Sequence, residues 1–124
     1  MRKVLYVEDH EVQCDIMAQI LELYGYEADV AHNGEEGVKK AREWHPDIVL
    51  MDIRLPGRIN GLAAIHQLRD GPDTVDIPII VISAWGSAKH KARALSAGAD
   101  AHFTKPVSMG ELTAAINRHL GQPS

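Results

Sequence analysis

The feature that most constrains this chain is a fivefold alternation between short apolar runs and longer amphipathic stretches. The runs are Val4–Val7, Glu27–Ala31, Ile48–Met51, Ile79–Ile82 and Ala101–Thr104. The first, third and fourth are near-continuous in Val, Ile and Leu. A strand reads that way when helices cover both faces of its sheet, because each side chain then meets a core. Glu27–Ala31 is the most polar of the five. Between the runs, apolar residues recur at helical steps. The spacing predicts inward stripes of Val12, Ile16, Ile20 and Leu23, then Val38, Ala41 and Trp44, then Leu62, Ile65 and Leu68. A fourth stripe is Ala88, Ala92 and Leu95, with Lys89, His90, Lys91 and Arg93 off it, and a fifth is Leu112, Ile116 and Leu120.

Local signals agree with these elements. Asn33 with Glu36, and Ser108 with Glu111, have capping-box spacing at two helix starts. Gly25 and Gly98 stand where the first and fourth helices should stop. Pro46, Pro56, Pro78 and Pro106 fall between elements, where the missing N–H does no harm. Five strand–helix repeats with right-handed crossovers predict an α/β fold, a flavodoxin-like doubly wound parallel sheet of order 2-1-3-4-5 with five helices. In such a sheet ligands bind beyond the carboxyl ends of the strands, at the switch point between strands one and three.

Size and charge narrow the class further. The 124 residues fit one domain, residues 1–124, with an ordered core over about 3–120 and a frayed end at 121–124. A net charge of −4 argues against direct nucleic-acid binding. No apolar run approaches the roughly 18 residues of a membrane span. The apolar stretch after Met1-Arg2-Lys3 ends at Glu8-Asp9, too soon for a signal peptide. With Cys14 the single cysteine, the expectation is a cytoplasmic protein.

The predicted topology gathers polar residues at one mouth. Strand one ends at Glu8-Asp9, strand three at Asp52, strand four at Ser83-Ala84, and the loop after strand five carries Lys105-Pro106. Clustered carboxylates repel one another unless a cation joins them. An all-oxygen donor set selects a hard ion such as Mg2+. A carboxylate can also attack a phosphoryl group, with the metal and Lys105 neutralising the transferred oxygens and Ser83 bonding one of them.

These segments resemble the response-regulator receiver family of two-component signalling. The resemblance is carried by Val4-Leu5-Tyr6-Val7-Glu8-Asp9, by Asp47 through Gly57, by Pro78 through Ala84, and by Gly98 through Pro106. It covers the chain from Lys3 to about Leu120. It implies that Asp52 accepts a phosphoryl group from a histidine kinase or a histidine phosphotransfer protein. Asp9 and Asp52 would ligate Mg2+ with the backbone carbonyl of Arg54, and Glu8 would act nearby through water. Lys105 would pair with the phosphoryl group, Ser83 would move toward it, and the Lys105-Pro106 bond would be cis. Ala84, Trp85 and His102 fall at switch or tuning positions.

Three departures from the family pattern stand out. His102 takes the place of the switch aromatic, which leaves two readings: a pH-sensitive coupling to Ser83, or an exposed histidine of little consequence. The loop Pro56-Gly57-Arg58-Ile59-Asn60-Gly61 is one residue longer than the common form. Trp85 either shields the phosphoryl group from water or docks a partner.

The resemblance further implies a non-enzymatic switch, limited to its own phosphorylation and dephosphorylation. Its output face would be helix four, strand five and helix five, with Lys89, His90, Lys91 and Arg93 available to a downstream protein partner. The chain's end favours a stand-alone receiver over one excised from a hybrid kinase or larger regulator. Two other classes fit less well. A Mg-dependent phosphohydrolase would carry a second Asp two residues past the nucleophile, where this chain has Arg54. A nucleotide-binding module needs a glycine-rich loop where this chain has Glu8-Asp9-His10-Glu11.

Overall fold

The computed structural model describes residues 2–54, 57, 59–84 and 86–120. Their elements run β1 (Lys3–Val7), α1 (Glu11–Leu23), β2 (Glu27–Ala31), α2 (Gly34–Trp44), β3 (Ile48–Met51), α3 (Gly61–Asp70), β4 (Ile79–Ser83), α4 (Ala88–Ala97), β5 (Ala101–Thr104) and α5 (Met109–His119). The sheet order is β2-β1-β3-β4-β5, with every pairing parallel. Reversal of winding between β1 and β3 creates the crevice in which such folds bind ligands.

Strand alternation sorts the interior into two cores. Leu5, Val7, Val49, Met51, Ile79 and Val81 face Val38 and Ala41 of α2, Ala64, Ile65 and Leu68 of α3, and Ala94 and Ala97 of α4. Val4, Tyr6, Ile48, Leu50, Ile80 and Ile82 face Cys14, Met17 and Leu21 of α1, and Leu112, Ala115 and Ile116 of α5. Each fully buried Leu or Ile stabilises the fold by roughly 1.5–3 kcal/mol. Both faces of β1, β3 and β4 are therefore covered, as their unbroken apolar sequences require.

Two helices turn a different face inward from the one their spacing predicts. On α1, Val12, Ile16 and Leu23 are 69%, 52% and 86% exposed, while Cys14, Met17 and Leu21 are buried. This helix has apolar residues on two sides, and periodicity cannot choose between them. On α4 the inward residues are Ala94 and Ala97, with Ala88 and Ala92 exposed and Leu95 41% exposed. The face α4 turns to the core is thus made of alanines. The other three stripes are inward, with Trp44, Leu62 and Leu120 only partly buried at their ends.

Asn33 and Ser108 cap their helices through the amides of Glu36 and Glu111, at 2.8 and 3.3 Å. Asn60 and Ser87 do the same for α3 and α4, through Ala63 at 2.9 Å and His90 at 3.2 Å. Gly25 and Gly98 adopt φ of 92° and 120° just past α1 and α4, where a Cβ would be strained. Gly61 answers a different need. Its N–H bonds the Ile53 carbonyl at 2.8 Å, and a Cβ there would lie 2.1 Å from the Asp52 carbonyl oxygen.

The edge of the sheet opposite the carboxyl ends is tied by polar side chains that bond several backbone groups at once. Arg69 donates from Nε to the Gly98 carbonyl at 2.9 Å and from Nη1 to Val75 and Ile77 at 2.9 and 2.7 Å. Its Nη2 meets Asp100 Oδ2 at 3.0 Å, an oxygen that also accepts the Ile79 amide at 2.8 Å. Beside β1, Asp47 accepts the Lys3 amide at 2.7 Å, and the Lys3 ammonium reaches the Trp44 carbonyl at 3.1 Å while lying 5.3 Å from the Trp44 ring centroid.

Candidate functional site at the carboxyl ends of the strands

Backbone bonds between strand ends set the site. The Asp52 amide bonds the Val7 carbonyl at 3.1 Å, which fixes the residue after β3 beside the end of β1. The Glu8 amide bonds Ala31 at 2.9 Å, and the Lys105 amide bonds Ser83 at 2.8 Å. Residues distant in sequence, Glu8, Asp52 and Lys105, thus meet at one end of the sheet. The Lys105-Pro106 bond is cis.

Glu8 is fully buried and Asp52 is 6% exposed. The Lys105 ammonium touches both, contacting Glu8 Oε1 and lying 3.1 Å from Asp52 Oδ2. Glu8 Oε2 accepts the amides of Asp9 and His10 at 3.0 and 3.4 Å and faces His10 Nδ1 at 3.1 Å. Asp52 Oδ1 accepts the Arg54 amide at 3.0 Å. Tyr6 brings its hydroxyl to 3.5 Å from Glu8 Oε1, and the Cys14 thiol donates to the Glu8 carbonyl at 3.1 Å.

Burial and partners divide the ionisation behaviour. Burial alone would push the Glu8 carboxyl up, but the Lys105 ammonium and the bonds from Asp9 and His10 outweigh it and hold the group at about 2. Burial dominates at Asp52, whose carboxyl is raised despite Lys105 and the Arg54 amide. Burial opposes the charged ammonium of Lys105, yet Glu8 and Asp52 keep its proton bound beyond the ordinary range. Tyr6 is raised by burial and then by the two carboxylates, and the His10 imidazole is raised by its bond to Glu8. Burial lifts the Cys14 thiol to about 11, which makes it a packing residue rather than a nucleophile.

A cavity of about 490 Å3 opens above these groups, lined by Asp9, His10, Gln13, Asp52, Arg54, Ala84 and Lys105. Glu8 lies buried beneath. Ser83 is fully buried at the end of β4, next to Ala84. His102 is half-buried on β5, in register with Val81 and with its Nε2 enclosed, so it is not the exposed ring of the second reading. Trp85, together with Leu55, Pro56 and Arg58 of the longer loop, lies outside the described residues. The cavity adds two residues that sequence reasoning missed, His10 and Gln13. The signal for His10 was present, an imidazole directly after two carboxylates. Gln13 carried none, since one polar residue on a helix looks like any other.

The donor set fits a hard divalent cation. Glu8, Asp9 and Asp52 offer only oxygen, and among the described residues Lys105 is the one ammonium that contacts Glu8 and Asp52. Fold and site together define a class, a doubly wound α/β module with an electron-rich carboxylate cluster at its switch point. Comparison with known proteins then specifies the family. Residues 4–117 match the response regulator receiver domain model. The polar-differentiation response regulator DivK of Brucella ovis is 33% identical over 120 residues, with 97% of each chain covered. A CheY-like response regulator receiver domain protein from Methanospirillum hungatei superposes with TM-score 0.89 at 29% identity, covering 98% of this chain and 95% of that one. The receiver domain of a sensor histidine kinase from Pseudomonas aeruginosa, whose active-site cleft coordinates a magnesium ion, gives TM-score 0.89 at 28% identity, covering 97% and 98%. The chain belongs to the response-regulator receiver family and is a receiver domain of two-component signalling. Among the described residues no helix is long and apolar enough to cross a membrane.

Proposed function

We propose that Asp52 is the phosphoacceptor of this receiver, charged by a histidine kinase or histidine phosphotransfer protein in the cytoplasm. The observation that carries the reading is the Lys105 ammonium 3.1 Å from Asp52 Oδ2, at the floor of an open cavity flanked by Asp9. An Asp52 oxygen attacks the phosphorus of a phosphohistidine. The O–P bond forms as the N–P bond breaks, and the departing imidazole takes a proton. The raised Asp52 carboxyl is the more basic, and so the more nucleophilic, of the two buried acids. Lys105 is held by Glu8 where it can bond a phosphoryl oxygen, and the Arg54 amide orients the carboxylate through Oδ1.

Asp9, Asp52 and the Arg54 carbonyl would hold Mg2+, with Glu8 alongside, and the bound ion would supply positive charge to the phosphoryl oxygens. Ser83, which ends β4 just before α4, reads the modified state. Ala84, His102 and Trp85 tune the phosphoryl lifetime and its coupling to output. The output surface is that of α4, β5 and α5, where exposed Lys89, Lys91 and Arg93 suit an acidic downstream protein. The chain acts as a switch and not as a turnover phosphatase.

The test is incubation with acetyl phosphate and Mg2+, read by intact mass. Wild type gains one phosphoryl group. Asp52→Ala and the magnesium-free sample gain none. An Asp52→Ala chain that is still phosphorylated would place the acceptor elsewhere.

A further inference from the structure

The basic residues of α4 divide between two sides of the helix. Its sequence holds Lys89, Lys91 and Arg93 and no acid, in a chain whose net charge is −4. Lys89 and Arg93 share a face, being four residues apart. With Ala92, Ser96 and Ala97 they form one wall of a groove of about 450 Å3, and Leu62 and His66 of α3 form the other. Lys91 and Leu95, also four apart, fall on the opposite flank, and neither lines the groove. The His90 ring meets the Ser87 hydroxyl at 2.7 Å and stays outside it too.

We infer that the α3–α4 groove docks an acidic amphipathic segment of a downstream protein, its carboxylates on Lys89 and Arg93 and an apolar side chain between the two helices. The inference rests on the reading that α4 meets an acidic protein, and it moves that contact to the flank away from Lys91 and Leu95.

Charge and lining both fit that occupant. Among the described residues no carboxylate lines the groove, and Lys89 and Arg93 form no ion pair. Lys89 stands in the first turn of α4, where the helix dipole disfavours a cation and no acid offsets it. An arriving carboxylate relieves that repulsion. Arg93 can hold a carboxylate through two parallel N–H bonds, and the His66 ring offers a further donor. Between these polar groups the lining is apolar, with Leu62 half-buried and methyl groups at Ala92 and Ala97. A helix laid there presents acids at i and i+4, the spacing of Lys89 and Arg93. A nucleic acid would need more phosphate contacts than two cations supply, and would leave Leu62 unmatched.

The probe is a display library of random peptides, panned against the full chain. The expected winners carry two acidic residues one helical turn apart beside a Leu or an aromatic residue. A synthetic winner, followed by fluorescence anisotropy, should lose affinity as salt rises and should shift the NMR signals of Leu62, His66 and Ala92. Lys89→Glu combined with Arg93→Glu should weaken it roughly tenfold or more. Ala92→Phe keeps both cations but fills the groove, and should weaken it about as much. Lys91→Glu should change it by less than about twofold. Circular dichroism checks the fold of each variant, and Lys89→Ala with Arg93→Ala replaces any that fails to fold. If the winners are acidic but Lys91→Glu weakens them more than the groove variants do, the acidic partner stands and the groove fails. If the winners carry no acids, or bind every variant as they bind wild type, both readings fail. A chain that self-associates in sedimentation, and that the groove variants return to monomer, also overturns the inference.

Discussion

The two edges of the sheet handle charge in opposite ways. At the amino ends of the strands, each of the three Arg69 nitrogens donates to a carbonyl or carboxylate, and Asp100 and Asp47 each accept a backbone amide. At the carboxyl ends, two buried carboxylates share one ammonium, with Asp9 beside them. The first edge is satisfied within the protein. The second holds more carboxylates than ammonium groups, so its folded state carries their repulsion, and the cation proposed above would balance it. A satisfied edge stabilises the fold, while an unbalanced one stores affinity for something outside it.

That contrast is open to attack by mutation, with unfolding followed in urea and divalent ions absent. The largest effect should come from Lys105→Met, which leaves Glu8 buried without its ammonium and should cost about 3 kcal/mol at neutral pH. The same pair sets an acid limb. Glu8 is held below its ordinary value of 4.5, so its stabilisation is full above that pH and is lost as pH falls toward about 2. Glu8→Gln should lose less stability than wild type across that window.

Arg69→Ala comes next. Four bonds disappear from a mostly covered side chain, for about 2 kcal/mol, with phosphoryl uptake by Asp52 unchanged. Asp52→Asn should move stability the other way, by about 1 kcal/mol, since it removes a buried charge from the crowded edge. A destabilised Asp52→Asn would break the contrast, because the carboxyl edge would then be satisfied too. Lys3→Met should be mildest, at about 0.5–1 kcal/mol for the lost contact with Trp44.

Legibility followed the range of the forces involved. Strands buried on both faces announce themselves, and so do helix caps, because each depends on neighbours a few residues away. The α1 stripe was misread because Val12, Ile16 and Leu23 form an apolar row as regular as the inward one, and only contact with the sheet distinguishes them. Asn60 and Ser87 carried ordinary capping signals that went unused. The acids and Lys105 were legible through topology and family resemblance. The grip of Lys105 on Glu8 was not, since it joins residues 97 positions apart and depends on the strands being in register. His10 was passed over because its contact with Glu8 depends on where an unused cap points, which local sequence does not state.

The close seat of Gly61 has a consequence for how such a chain can change. With no side chain, the start of α3 rests on the backbone of Asp52 and Ile53, and the loop between them is clamped at both ends. A substitution that spares those two clamps leaves the Asp52 carboxylate in place beside Lys105. A methyl group at position 61 would push on the Asp52 carbonyl and pass that displacement straight to the proposed phosphoacceptor.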